Sequence, residues 1–274
     1  MIIEIIKAII LGIVEGITEW LPISSTGHMI LVDEFLKLNV TPEFKEMFLV
    51  VIQFGAILAV IVIFWSKLFP FGFKNGFEIK KDIFSMWFKV IAACLPSAVV
   101  GLLLDDIIDE LFYNYVSVAI ALIVFGVLFI VVENYNKGRT AKINSIDDIT
   151  YKTALIIGLF QLIAAVFPGT SRSGATILGA LLIGVSRTTA AEFTFFLAVP
   201  TMLGASLLKL VKFGLNFTAD EMTLLLTGMV VAFAVSMLTI KFLMGYIKKH
   251  DFKVFGWYRI VLGIIVLAYF LLAK

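Results

Sequence analysis

Residues 8–28 and 154–174 read as two divergent copies of one segment, an apolar helix that halts at a proline and runs into small hydroxyl residues. Without a gap, Ala8-Ile9-Ile10-Leu11-Gly12 lies on Ala154-Leu155-Ile156-Ile157-Gly158, Ile17 on Ile163, Pro22 on Pro168 and Ser25 on Ser171. A duplication whose copies are both interrupted by Pro and Gly points to a binding site near the membrane midplane, where two half-helices meet. The same register shows the divergence: Glu15 faces Gln161, Glu19 faces Ala165, Thr26 faces Arg172 and His28 faces Gly174. One copy holds two acids and an imidazole, the other a guanidinium.

Composition decides the solvent for such a fold. Of the 274 residues, 61% are hydrophobic and 15% charged, against about 25% charged in soluble domains. Apolar runs at 48–65, 116–132, 224–240 and 260–272 approach the roughly 20 residues that cross a bilayer. The short apolar/polar alternation of a membrane β-barrel is missing. The expected class is an all-α polytopic membrane protein, one membrane domain over 1–274. A net charge of +2 without a basic cluster interleaved with aromatics gives no reason to expect a nucleic-acid partner. The single cysteine, Cys94, rules out an internal disulfide or thiolate metal site and reads as a small buried hydrophobe. Glu4, Glu15 and Glu19 argue against a cleavable signal peptide at the start of the chain.

Charge placement sets the expected topology. The connections 66–89, 134–152 and 246–256 carry Lys67, Lys74, Lys80, Lys81 and Lys89, then Lys137, Arg139, Lys142 and Lys152, then Lys248, Lys249 and Lys253. These are twelve of the 22 basic residues and place the three loops in the cytoplasm. The connection 105–114, with Asp105, Asp106, Asp109 and Glu110 and no Lys or Arg, fits the outside. Three spans per half follow, near 46–65, 88–104 and 115–133 and near 190–212, 222–245 and 257–273, with Lys209 and Lys212 running against the pattern. A helix over 153–167 reaches only about 22 Å at 1.5 Å per residue, short for a bilayer. Parity then makes 1–40 and 153–187 re-entrant hairpins, one entering from outside and the other from inside. The halves, about 1–135 and 150–274, become inverted-topology repeats whose serine-rich tips meet in protein or in a water-filled cavity.

The tips carry the chemistry. Glu15 and Glu19, four residues apart, share a helical face, and carboxylates at membrane depth need a cation, a proton or water. Beside a phosphate site the pair is a candidate ligand set for a hard divalent cation, Mg²⁺ or Ca²⁺; a structural pair in a wet vestibule is the alternative. Glu19, nearer the loop, is the better candidate for proton transfer. Ser24, Ser25, Thr26 and Gly27 form a hydroxyl-rich helix start, where free N–H groups and hydroxyls bind anions, although such serines are commonly caps. His28 adds a group that moves protons near neutral pH. Arg172, flanked by Thr170, Ser171, Ser173 and Gly174, is suited to hold phosphate oxygens in a fork; an ion pair to Glu15 or Glu19 is the competing reading. Arg187 and Arg259 are expected to serve as interface anchors, and His250 receives no role.

The segments Glu15-Gly-Ile-Thr-Glu19-Trp-Leu-Pro-Ile-Ser-Ser-Thr-Gly-His28 and Pro168-Gly-Thr-Ser-Arg-Ser-Gly174 resemble the two signature motifs of the bacitracin-resistance type undecaprenyl-diphosphate phosphatases, and the resemblance covers essentially the whole chain. It implies hydrolysis of undecaprenyl diphosphate to the monophosphate carrier used for peptidoglycan and other envelope polymers. It also implies a bacterial cytoplasmic-membrane location with the active site toward the outer face, a divalent cation, and bacitracin resistance on overproduction. Residue by residue, the family's acidic pair falls on Glu15 and Glu19, its serine and histidine on Ser25 and His28, and its phosphate-binding arginine on Arg172; Trp20 is a mild variation.

The expected mechanism has Arg172 and the helix starts holding the diphosphate while Ser25, deprotonated through His28 or Glu19, attacks the terminal phosphorus and water then cleaves the phosphoserine. His28 as nucleophile is the rival assignment. From another class, a polyprenyl-phosphate flippase would use the same grip without needing Ser25 or His28 as reactants. The isoprenoid tail must leave sideways into lipid, and whether two copies pair as a homodimer is left open.

Overall fold

The computed structural model describes residues 1–72, 77–214 and 216–272. Lys74 and the side chains of Asp105, Asp106 and Asp109, on which part of the expected topology rests, lie outside the described residues. In chain order the elements are α1 (Ile2–Thr18), α2 (Ser25–Phe35), α3 (Pro42–Ile63), α4 (Trp65–Leu68), β1 (Phe71–Gly72), β2 (Glu78–Ile79), α5 (Lys81–Phe112), α6 (Tyr115–Tyr135), α7 (Tyr151–Val166), α8 (Arg172–Leu182), α9 (Arg187–Phe213), α10 (Ala219–Tyr246) and α11 (Lys253–Leu272). Among the described residues α3, α5, α6, α9, α10 and α11 are long and apolar enough to cross a membrane. These are the six expected spans.

Local chemistry explains most boundaries. Thr41 caps α3 through Phe44 N–H (3.2 Å), with Pro42 opening the helix where its missing N–H costs nothing. Thr218 and Glu221 form a reciprocal capping box at α10. Two expectations are corrected. The connection 66–89 holds the short α4 and a small antiparallel ribbon pairing Phe71 with Ile79. The acidic stretch 105–114 is not a loop: α5 continues to Phe112, and only Tyr113 and Asn114 separate it from α6. No Pro or Gly follows Gly101 before that turn, so nothing in the chain breaks the helix when it leaves the apolar run.

The two halves pack through each other. α1 lies against α10, and α7 lies against α5, so each short helix is held by a span of the opposite half; α6 pairs with α11 and α3 with α9. Close approach depends on small residues, since lipid supplies no hydrophobic drive between helices. A Cβ on Gly12 would sit 2.7 Å from Gly228 O, and one on Gly55 would run into the Met229 carbonyl. α8 is enclosed, with Ser173 through Leu181 all buried, whereas in α2 only Gly27 and Met29 are buried. Arg187 begins α9 as expected, but it is paired to the buried Glu133, whose Oε1 also accepts from Phe252 N–H (2.9 Å). Lys209, at odds with the charge pattern, pairs with Glu46.

Gly55→Ala should lower thermal stability in detergent by about 1–3 kcal/mol through overpacking. Gly245→Ala, where an added Cβ meets nothing within 4 Å, should be neutral or gain about 0.5–1 kcal/mol. Equal losses in both would contradict the packing assigned to the α3–α10 seam.

Candidate active site

Both tips are built by a serine in an unusual conformation. Ser24 (φ 73°) and Ser171 (φ 69°) are the two non-glycine residues with positive φ among the described residues, a geometry costing about 1–3 kcal/mol that persists only where surroundings enforce it. Each reverses the chain and caps the next helix. Ser24 Oγ accepts from Gly27 N–H (3.3 Å) and Ser171 Oγ from Gly174 N–H (3.1 Å). This equivalence shifts the ungapped register by one residue, because Gly169 is an extra position in the second tip. Its φ of 91° and the Val118 carbonyl, 2.6 Å from where a Cβ would stand, admit only glycine. Ser24 is therefore the counterpart of Ser171, Ser25 of Arg172 and Thr26 of Ser173, in place of the pairings Ser25–Ser171 and Thr26–Arg172 expected from the ungapped register.

The first residues of α2 and α8 converge on Glu19. Glu19 Oε2 accepts from Ser25 Oγ–H (2.9 Å) and Oε1 from Arg172 Nη2 (2.9 Å), while its backbone carbonyl accepts from Ser173 Oγ–H (3.1 Å). A single carboxylate thus joins the candidate nucleophile to the candidate phosphate fork. The ion pair read as the alternative for Arg172 is formed, and with Glu19 rather than Glu15. Arg172 Nη1 donates to Thr194 O (3.1 Å), which orients the guanidinium and leaves Nε buried with no partner.

Other predicted residues stand farther out. His28 does not meet Ser25: its Nδ1 lies 2.7 Å from Ser24 O and its Nε2 2.7 Å from Tyr258 Oη, with the two rings stacked at 6°. An Nδ1–H donated to the carbonyl leaves Nε2 to accept the tyrosine hydroxyl. Glu15 is 1% exposed, one turn before Glu19, and its Oε1 has no hydrogen-bond partner. Thr170 Oγ1 and Trp20 Nε1 are also buried without partners. These orphaned polar atoms, all on the two tip segments and the helices entering them, lack the partners that buried polar groups normally find.

Two residues that contact the tips were not anticipated there. Tyr258 is one; Arg259 is the other. Expected to snorkel, Arg259 is fully buried and donates to Pro22 O (3.3 Å), Gly169 O (3.0 Å) and Thr170 O (2.7 Å), binding the two tips to each other. A readable signal existed: Gly256, Arg259 and Gly263 share one face of α11, and a Cβ on Gly256 would stand 2.7 Å from Gly126 O on α6. A face that pressed against α6 cannot snorkel.

The carboxylates fit a hard cation only in part. Glu15 Oε1 is free to ligate, but both oxygens of Glu19 are engaged, and among the described residues no group of three or more His, Cys, Asp and Glu could hold an ion. Remaining ligands would come from substrate oxygens and water, as is common for Mg²⁺.

Comparison with known proteins gives the family. The family described as bacitracin resistance protein BacA matches residues 8–265. The chain is 68% identical to an undecaprenyl-diphosphatase of Desulfitobacterium hafniense, covering 98% of this chain and 97% of that one. It is 68% identical to undecaprenyl-diphosphatase 1 of Clostridium acetobutylicum over 98% of both chains. It is 69% identical to an undecaprenyl-diphosphatase of Enterococcus faecalis over 97% of this chain and 96% of that one. With a shared-carboxylate site on the matched segments and likeness along its whole length, the chain belongs to the bacitracin resistance protein BacA family.

Proposed function

We propose that this membrane protein hydrolyses undecaprenyl diphosphate to undecaprenyl phosphate and inorganic phosphate, recycling the lipid carrier of envelope polymers and thereby opposing bacitracin. The observation that carries the reading is Glu19, whose two oxygens accept from Ser25 Oγ–H and Arg172 Nη2 at 2.9 Å each. A nucleophile, its base and a guanidinium fork on one carboxylate are what phosphoryl transfer from an anionic headgroup requires.

The terminal phosphate engages Arg172, whose free Nε and shared Nη2 present a fork. Ser25 Oγ gives its proton to Glu19 Oε2 and bonds to the terminal phosphorus as the bond from that phosphorus to the bridging oxygen breaks, releasing the lipid monophosphate. Water then attacks the phosphoserine; as the Oγ–P bond breaks, Glu19 returns its proton to Ser25 Oγ, and inorganic phosphate leaves carrying the water's oxygen and protons. Thr170, Ser173 and the first N–H groups of α2 and α8 line the phosphate's surroundings, with Thr26, Gly27 and Gly174 on the same turns; Ser24 and Ser171 act first as caps. His28, held by Ser24 O and Tyr258, fits a role in proton exchange with solvent better than that of nucleophile. A divalent cation, when bound, would neutralise diphosphate charge, with Glu15 Oε1 free to hold it and Glu19 able to join only by giving up its bond to Ser25 or Arg172.

The halves, about 1–135 and 150–274, are assigned as inverted repeats, with α1–α2 and α7–α8 re-entrant and the site opening to the outer face of the cytoplasmic membrane. The equal 11-residue lengths of α2 and α8 and the exchange of α1 and α7 between halves support this.

Phosphate release by purified protein in detergent tests the reading, because a flippase has nothing to do without a membrane. Ser25→Ala and Glu19→Gln should each lower kcat by about 10²–10⁴-fold, and an acid-stable phosphoenzyme trapped from wild type should disappear in Ser25→Ala. Phosphoenzyme that survives Ser25→Ala and vanishes in His28→Ala would reassign the nucleophile. Arg172→Lys keeps the charge but loses the fork, so kcat/KM should fall about 10- to 100-fold; an unchanged value would remove Arg172 from phosphate recognition.

A further inference from the structure

A cavity of about 520 Å³ opens between α5, α7 and α9, and Arg172 forms part of its wall. Its lining is otherwise mostly apolar, and beside it Ile91, Leu95 and Leu102 of α5 are exposed on the outer surface of the helix bundle. The corresponding region of the other half is shut. There α10 runs closely along α3, with Gly12, Gly55 and Gly228 pressed against neighbouring backbone or side chains, whereas the α5–α9 contact is short. Along the cleft, Gly101 and Gly204 have nothing within 4 Å of an added Cβ. Pro96 and Pro200 interrupt the hydrogen-bond ladders of the two flanking helices. The repeat positions of the acidic pair, Gln161 for Glu15 and Ala165 for Glu19, both line this cleft. Loss of those acids from the second copy is what an apolar occupant requires.

We propose that this α5–α7–α9 cleft is the seat of the substrate's polyisoprenoid tail, running from the headgroup at Arg172 out to the lipid. The inference rests on the phosphatase reading for its occupant and on Arg172 for its direction: the same guanidinium touches the Glu19 network and the cleft wall. At about 30 Å³ per heavy atom, the share of a water in the liquid, 520 Å³ holds about seventeen atoms. A fifteen-carbon prenyl chain fills it, and longer tails continue into the bilayer.

The test compares kcat/KM for farnesyl and isopentenyl diphosphate in detergent, together with alkylation of Cys94, the only cysteine of the chain and a lining residue of the cleft. Gly204→Leu and Gly101→Leu fill the cleft and should cut the preference for the longer tail about tenfold, the equivalent of about two buried methylenes. Gly245→Leu, on α10 away from the cleft, should leave the preference as it is. In wild type, farnesyl diphosphate should protect Cys94 from N-ethylmaleimide, while isopentenyl diphosphate and farnesol at equal concentration protect far less. An unchanged tail preference in folded glycine variants overturns the proposal. So does equal protection by farnesol, which would mark the cleft as a general lipid crevice. Should a glycine variant fail to fold, the wild-type protection decides. Absence of phosphate release from either diphosphate by wild type would refute the phosphatase reading instead, and Cys94 protection would still report on the cleft.

Discussion

A helix that ends inside a protein leaves carbonyls that must find donors, and this fold ends two helices side by side in its interior. The turns beyond those ends face the same demand, and there Arg259 donates to Pro22 O, Gly169 O and Thr170 O, while Ser24 and Ser171 cap the outgoing helices. An unsatisfied buried polar group costs several kcal/mol in an apolar phase, so the paired tips depend on this one side chain. Among the described residues its guanidinium hydrogen-bonds only to carbonyl dipoles, which leaves a positive field close to where a diphosphate would lie.

The repeat is most informative where it departs from symmetry. Matching caps hold the first residue of α2 and of α8 in equivalent positions, and the sequence places a hydroxyl in one and a guanidinium in the other. Glu19, contributed by only one half, draws both together. The second half has Gln161 and Ala165 at the places of the two acids, and there the interior opens into an apolar cleft rather than a charged site. On the proposed assignment, one half supplies the acid and hydroxyl that meet the head, and the other the guanidinium and the wall of the cleft for the tail.

Much of this was legible in the residues themselves. The six expected spans became six long helices, the short length of 153–167 reappears as α7, and the motif residues Glu19, Ser25, Arg172 and Ser173 share one network. What failed did so for identifiable reasons. Acidic residues after Leu104 read as a loop, but charge does not stop a helix leaving an apolar layer when no breaker follows. The ungapped register hid the extra Gly169, since an insertion that costs a single positive-φ glycine leaves hardly a trace in composition. Arg259 was read from its place near the end of a span, and the glycines that press its face against α6 carried the better information. The pairing of His28 with Tyr258 spans 230 residues and has no local signature.

The latch between the tips also orders the protein's birth. Pro22 and Arg259 are 237 residues apart, and α11 follows both tips in chain order. Both signature motifs are therefore already in the membrane while their carbonyls still await a donor. A chain interrupted before α11 would carry Glu19, Ser25 and Arg172 but leave the carbonyls of Pro22, Gly169 and Thr170 without the Arg259 donor. The two tips are thus latched only once α11 is seated beside α6.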